Sequence, residues 1–182
     1  MASENRAQEA AEDTTAGGII LHAGKSEEAL ALFTRALALD GNNVRAHIGR
    51  SAALTQLGRP EEGFRAAQHA LALTPDDALA WSALSYSLRR LGRIEEARRG
   101  YEKSLALNPN ESRVLYNFAC FWASVGNEEE CRRYLAQAFA LVERHTLELA
   151  DRDPDLAPYV RTAWFKKLLN QAKAAREGPS PP

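Results

Sequence analysis

Apolar residues along the chain recur with the three-and-four spacing of a helix, and the blocks that carry this spacing themselves repeat. In the clearest block Trp81, Leu84, Ser85 and Leu88 form an i, i+3, i+4, i+7 stripe, which Gly92 ends in the manner of a helix C-terminal glycine. A second stripe runs through Ala97, Tyr101, Ser104 and Leu105 and stops before Asn108-Pro109. Glycines return every 34 residues, at Gly24, Gly58, Gly92 and Gly126. Each is followed by an acidic pair: Glu27-Glu28, Glu61-Glu62, Glu95-Glu96 and Glu129-Glu130. Leucines keep the same beat at Leu39, Leu73, Leu107 and Leu141, and Pro75 and Pro109 close two of the blocks. The acidic pair falls in the first turn of the second helix, where negative charge complements the helix dipole. Each block therefore reads as a helical hairpin joined by a tight glycine turn.

Two positions stay small in every block. They are Gly17, Ser51, Ser85 and Ala119 on the first helix, and Ala29, Gly63, Ala97 and Cys131 on the second. Small facing residues let helices approach towards the lower end of the usual range of about 8–10 Å between axes. A lone hairpin cannot bury both faces, so neighbours are expected to stack into one cooperative array. The first hairpin is expected to be degenerate, its first helix weak and interrupted by Gly17-Gly18. Beyond the last block, Asp151-Arg-Asp-Pro-Asp-Leu-Ala-Pro158 places two prolines where a further first helix would run. Val160, Trp164, Leu168 and Leu169 then restore a one-sided stripe up to about Lys173, as expected of a cap over the apolar end of the array.

The motif Trp81-x2-Leu84-Ser85-x2-Leu88, continued by Ala97-x3-Tyr101, Ser104 and Pro109, resembles the tetratricopeptide repeat. The unit Val44–Asp77 matches less fully, with His47, Arg50 and Ala67 at three of the family's large apolar positions. Ser112–His145 matches through Leu115, Phe118, Ala119, Trp122, Gly126 and Ala138, with Glu143 where proline is usual. In the first unit Ala29, Phe33 and Ala36 carry the likeness, and the C-terminal segment resembles the ending that often closes bacterial arrays of this kind. The resemblance implies an all-α, right-handed α-α superhelix of about four hairpins with a C-terminal capping helix. The boundaries are an extension over 1–9, units at 10–43, 44–77, 78–111 and 112–145, a capping segment over 146–176 and a disordered tail over 177–182.

The resemblance further implies that the hollow side, lined by the first helices, binds a peptide segment of another protein. The candidate lining is Arg45 and Ile48 in one unit, Leu79, Tyr86 and Arg90 in the next, and Arg113, Tyr116 and Asn117 in the third. Tyrosines offer rigid contact area, and arginines grip carboxylates through two parallel hydrogen bonds, so an acidic peptide is the expected ligand. Asn117 stands where the family often places an asparagine that bonds the peptide backbone. Chaperone-binding members use a clamp of basic and asparagine side chains. Of its positions here only Arg113 fits, and the others hold Ile48, Ala52, Ala83 and Asn117.

Composition narrows the function further. With 23 Lys+Arg against 24 Asp+Glu in 182 residues, the chain lacks the basic excess that bulk nucleic-acid binding requires. The arginines of Arg89-Arg90, Arg93 and Arg98-Arg99 are interleaved with glutamates and read as a mixed solvated face. No apolar run approaches the ~20 residues of a membrane span, and the start lacks the basic stretch of a targeting peptide. Two cysteines make neither a disulfide framework nor a zinc site, which suits a cytoplasmic protein. Cys131 occupies a core slot, whereas Cys120 is expected to face the hollow. His22, His47, His69 and His145 fall at unrelated repeat positions, so no histidine pair is expected. No nucleotide-binding or nucleophile motif occurs. The expectation is a non-catalytic adaptor or assembly factor without cofactor or metal. A chaperone for apolar export substrates and a regulatory subunit of an enzyme are the alternatives, and self-association through an open end is a further option.

Overall fold

The computed structural model describes residues 2–141, 147 and 150–177 and is all-helical, with no strand among the described residues. It divides into two compact units, Met1–Leu107 and Asn108–Pro182. The tail expected to be disordered lies, from Gly178 on, outside the described residues, as does His145.

The first unit holds helices α1 (Ala2–His22), α2 (Ser26–Leu39), α3 (Val44–Gln56), α4 (Pro60–Leu73), α5 (Ala78–Arg90) and α6 (Ile94–Leu107). They pair as α1–α2, α3–α4 and α5–α6. Each hairpin packs on the next through α2–α3 and α4–α5, and α3 also touches α1 and α5 directly. The turns explain the glycine beat. Gly24, Gly58 and Gly92 adopt φ of +80°, +76° and +75°, a left-handed conformation in which a Cβ is strained. At Gly58 the amide donates to Thr55 and the Arg59 amide to Leu54, the paired bonds of a Schellman end. Restarts are capped by side chains: Asn43 accepts from the Ala46 amide at 3.0 Å and Asp77 from Ala80 at 2.9 Å.

The glycine pair in α1 does not interrupt the helix, contrary to the sequence expectation. Gly17 makes room for Phe33 of α2: a Cβ there would stand 2.8 Å from its ring, and one at Gly49 of α3 only 2.2 Å. Burying this ring offsets the poor helix propensity of glycine, about 1 kcal/mol per residue. Asp13 of α1, only 5% exposed, pairs with Arg35 of α2, and this partner holds its carboxyl below the usual aspartate range. All eight repeat positions read as small are buried. Gly63 faces Thr55 and Ser87, and Gly100 faces Ser85, each with no room for a Cβ.

The second unit holds α7 (Ser112–Ser124), α8 (Glu128–Leu141), two 3₁₀ turns at Ala150–Arg152 and Pro154–Leu156, and α9 (Ala163–Glu177). Helix α9 lies on α8. Of the expected stripe, Leu169 is buried together with Phe165 and Ala172, whereas Val160, Trp164 and Leu168 are only partly covered. Phe165 packs edge-on against Phe139 at 6.2 Å. The Arg176 guanidinium donates to the Phe139 carbonyl at 2.8 Å, satisfying one of the backbone acceptors left at the end of α8.

Candidate functional site

Within the first unit the candidate side chains sit on adjacent helices of one layer, α3 and α5. The 34-residue offset sets Arg45 level with Leu79, Ile48 with Ser82, Ala52 with Tyr86 and Gln56 with Arg90. Arg45 and Arg90 are exposed, and Ile48, Ala52 and Tyr86 are half-buried. Leu79, 8% exposed, and Ser82 are buried where α3 packs on α5, so they support this face more than they form it. The Arg89 guanidinium lies 5.2 Å above the Tyr86 ring and fixes it by a cation–π contact. This layer therefore combines a held aromatic ring, an aliphatic patch and two arginines in solvent.

In the second unit the side chains expected to face the hollow are placed differently. The Tyr116 hydroxyl donates to Asp153 Oδ2 at 2.7 Å, and the residue packs against the core formed with the C-terminal turns. Burial, with Cys120 and Asp153 nearby, drives its hydroxyl well above the ordinary tyrosine range. Tyr116 is thus engaged by the chain itself. Cys120 is covered as well, 4% exposed and 3.9 Å from Asp153 Oδ2, instead of facing a hollow. Arg113 is exposed beside Glu111, at 3.4 Å, and Asn117 is half-buried.

Cys120, Asp153 and Asp155 bring one sulfur and two carboxylates within 4.8 Å of one another. This is not a vacant metal set, because Asp153 is already in use: Oδ2 accepts from Tyr116 and Oδ1 from the Asp155 amide at 2.9 Å. Its role is to cap the 3₁₀ turn at Pro154–Leu156 and tie it to α7. Cys131 is fully buried, and burial pushes its thiol up to about 12, which makes it a poor nucleophile.

One pair escaped the sequence reading. His47 of α3 and His69 of α4 stack with ring centroids 5.6 Å apart, although their repeat positions preset no pair as ligands or as base and orienter. They occupy different repeat positions, and only the antiparallel return of the hairpin brings them together. His47 Nε2 donates to the Gly41 carbonyl at 3.0 Å, which sets the tautomer, and Nδ1 is buried without a hydrogen-bond partner. Burial holds this imidazole below the ordinary histidine range.

Two stretches of the chain, residues 21–86 and 78–111, match family models described as tetratricopeptide repeat. A thermophilic TPR protein of Thermus thermophilus superposes with a TM-score of 0.71 at 22% identity, covering 94% of this chain and 92% of that one. The second TPR of Spaghetti (RPAP3), bound to the HSP90 peptide SRMEEVD, gives 0.54 at 27% identity over 59% of this chain and 98% of that one. The second TPR domain of human RPAP3, in complex with the HSP70 peptide SGPTIEEVD, gives 0.54 at 23% identity, covering 65% and 97%. No curated protein matches the sequence.

Proposed function

The chain belongs to the tetratricopeptide-repeat family, and from that premise we propose that it is a non-catalytic protein-interaction module whose α3–α5 layer binds a peptide segment of a partner. The observation that carries this reading is the set of accessible side chains on two directly packed helices: Arg45 and Ile48 from α3, Tyr86 and Arg90 from α5. A ring held by Arg89 offers contact area at low entropic cost, and two solvated arginines favour an acidic or carboxylate-bearing segment. Tyr116 is not part of this surface, since its hydroxyl is bound to Asp153.

Two of the solved relatives carry chaperone peptides ending in EEVD. The side chains at the clamp positions argue for a different ligand here, because Ile48, Ala52 and Ala83 supply neither a positive charge nor a carboxamide. The SRMEEVD peptide is expected to bind this chain no better than its scrambled sequence in a fluorescence-polarisation titration. The layer itself is tested by affinity capture from native lysate with wild type and Arg45→Glu/Arg90→Glu side by side. Partners retained equally by both proteins contradict the assignment.

A further inference from the structure

The opposite side of the same unit carries a second surface. Helices α4 and α6 each pack on α5, and between them lies a furrow of about 360 Å³. Its floor is apolar, made by Phe64 of α4 with Trp81, Leu84 and Leu88 of α5. Trp81 is pinned by its indole N–H, which donates to the Pro75 carbonyl at 2.8 Å. Gly100 keeps α6 close to α5, since a Cβ there would stand 2.1 Å from Ser85 Oγ.

The rim is cationic. Arg93 lies 5.1 Å over the Phe64 ring and is bonded to Glu96 at 2.7 Å. Arg99 and Lys103, four residues apart on one face of α6, are exposed, and Lys103 stands only loosely beside Asp76 at 3.5 Å. Three cations thus face one lining carboxylate, Glu96. One repeat earlier, the positions equivalent to Trp81, Leu84, Arg99 and Lys103 are His47, Arg50, Arg65 and His69. Arg65 and Arg50 act, after Arg59, to lower the carboxyl of Glu62, so positive charge continues along this side of the helices.

We infer that the α4–α6 furrow is a second docking surface, which takes an acidic peptide segment with one aromatic or aliphatic anchor. The anchor seats on Phe64 and Trp81, and its flanking carboxylates meet Arg99 and Lys103. An apolar floor selects the anchor and a basic rim selects its neighbours, the usual division between affinity and specificity at such surfaces. The two surfaces share no residue, so this assignment stands or falls independently of the α3–α5 layer.

The test is an NMR titration of the full chain with a heptapeptide of one phenylalanine flanked by three acidic residues on each side. Saturable shifts are expected at Phe64, Trp81, Arg99 and Lys103. Arg99→Glu/Lys103→Glu, at two exposed positions, is expected to weaken binding about tenfold or more, as is replacing the peptide's phenylalanine by alanine. Arg45→Glu/Arg90→Glu is expected to leave the affinity within about twofold. The inference is overturned if no saturation occurs below about 1 mM. It also falls if the two double variants respond alike, or if light scattering shows the furrow closed by a second copy of this chain.

Discussion

Two adjacent glycines in one helix are expected to respond unequally to alanine. A Cβ at Gly18 meets nothing within 4 Å, so Gly18→Ala gains helix propensity alone, about 0.5–1 kcal/mol. At Gly17 the same Cβ stands 2.8, 3.0 and 3.1 Å from three carbons of the Phe33 ring. At Gly49 the three distances are 2.2, 2.3 and 2.7 Å. The ring is 2% exposed and is held between both glycines, so moving away from one drives it into the other. Overpacking of this kind costs about 1–3 kcal/mol, against the same propensity gain of about 1 kcal/mol. Gly49→Ala is therefore expected to lose up to about 2 kcal/mol, with Gly17→Ala between it and Gly18→Ala. For a unit of this size each kcal/mol moves Tm by about 4–8 °C, well within reach of thermal and urea melts followed by circular dichroism. Introducing Phe33→Leu should relieve the Gly49→Ala penalty in a double-mutant cycle. If Gly17→Ala and Gly18→Ala shift Tm alike, or the cycle is additive, the ring-in-slot account fails.

Tyr116→Phe removes the donor to Asp153 and should cost about 1–3 kcal/mol, the usual penalty at a charged acceptor. It should also speed labelling of Cys120 by a thiol reagent, and unchanged melting with unchanged labelling would show the bond to be incidental. His47 gives a pH dependence of defined sign. Its folded-state value lies below the ordinary 6.5, because burial outweighs the Gly41 carbonyl and Asp40, with His69 and Arg50 acting in the same direction as burial. The unfolded chain therefore takes up the proton first. The stability from this group is complete above about 6.5, falls as pH descends through that value, and levels off once the folded-state value is passed. His47→Gln should flatten this slope in melts between about pH 7.5 and about pH 5, and an unaltered slope assigns it to another group.

The hairpins were legible because their turns impose a backbone conformation that only glycine adopts readily, which leaves a mark every 34 residues. The small positions were legible for a similar reason, since close helix approach excludes larger side chains at Gly63 and Gly100. What escaped depends on partners distant in sequence. Gly17 looks like part of a break until Phe33 of the next helix fills the space beside it. Tyr116 looks like a groove residue until Asp153, 37 residues away, accepts its hydroxyl. The furrow on the α4–α6 side was hidden for a related reason. Of its floor, Trp81, Leu84 and Leu88 also read as repeat core, and Arg93 and Arg99 as one mixed solvated face with the other arginines of the region.

The most direct test of the central claim is hydrogen–deuterium exchange on the full chain, free and bound to its captured partner. The account predicts that protection on binding concentrates in Val44–Gln56 and Ala78–Arg90, the helices that carry Arg45, Ile48, Tyr86 and Arg90. Protection confined to α8 and α9, with those two helices unchanged, would contradict it.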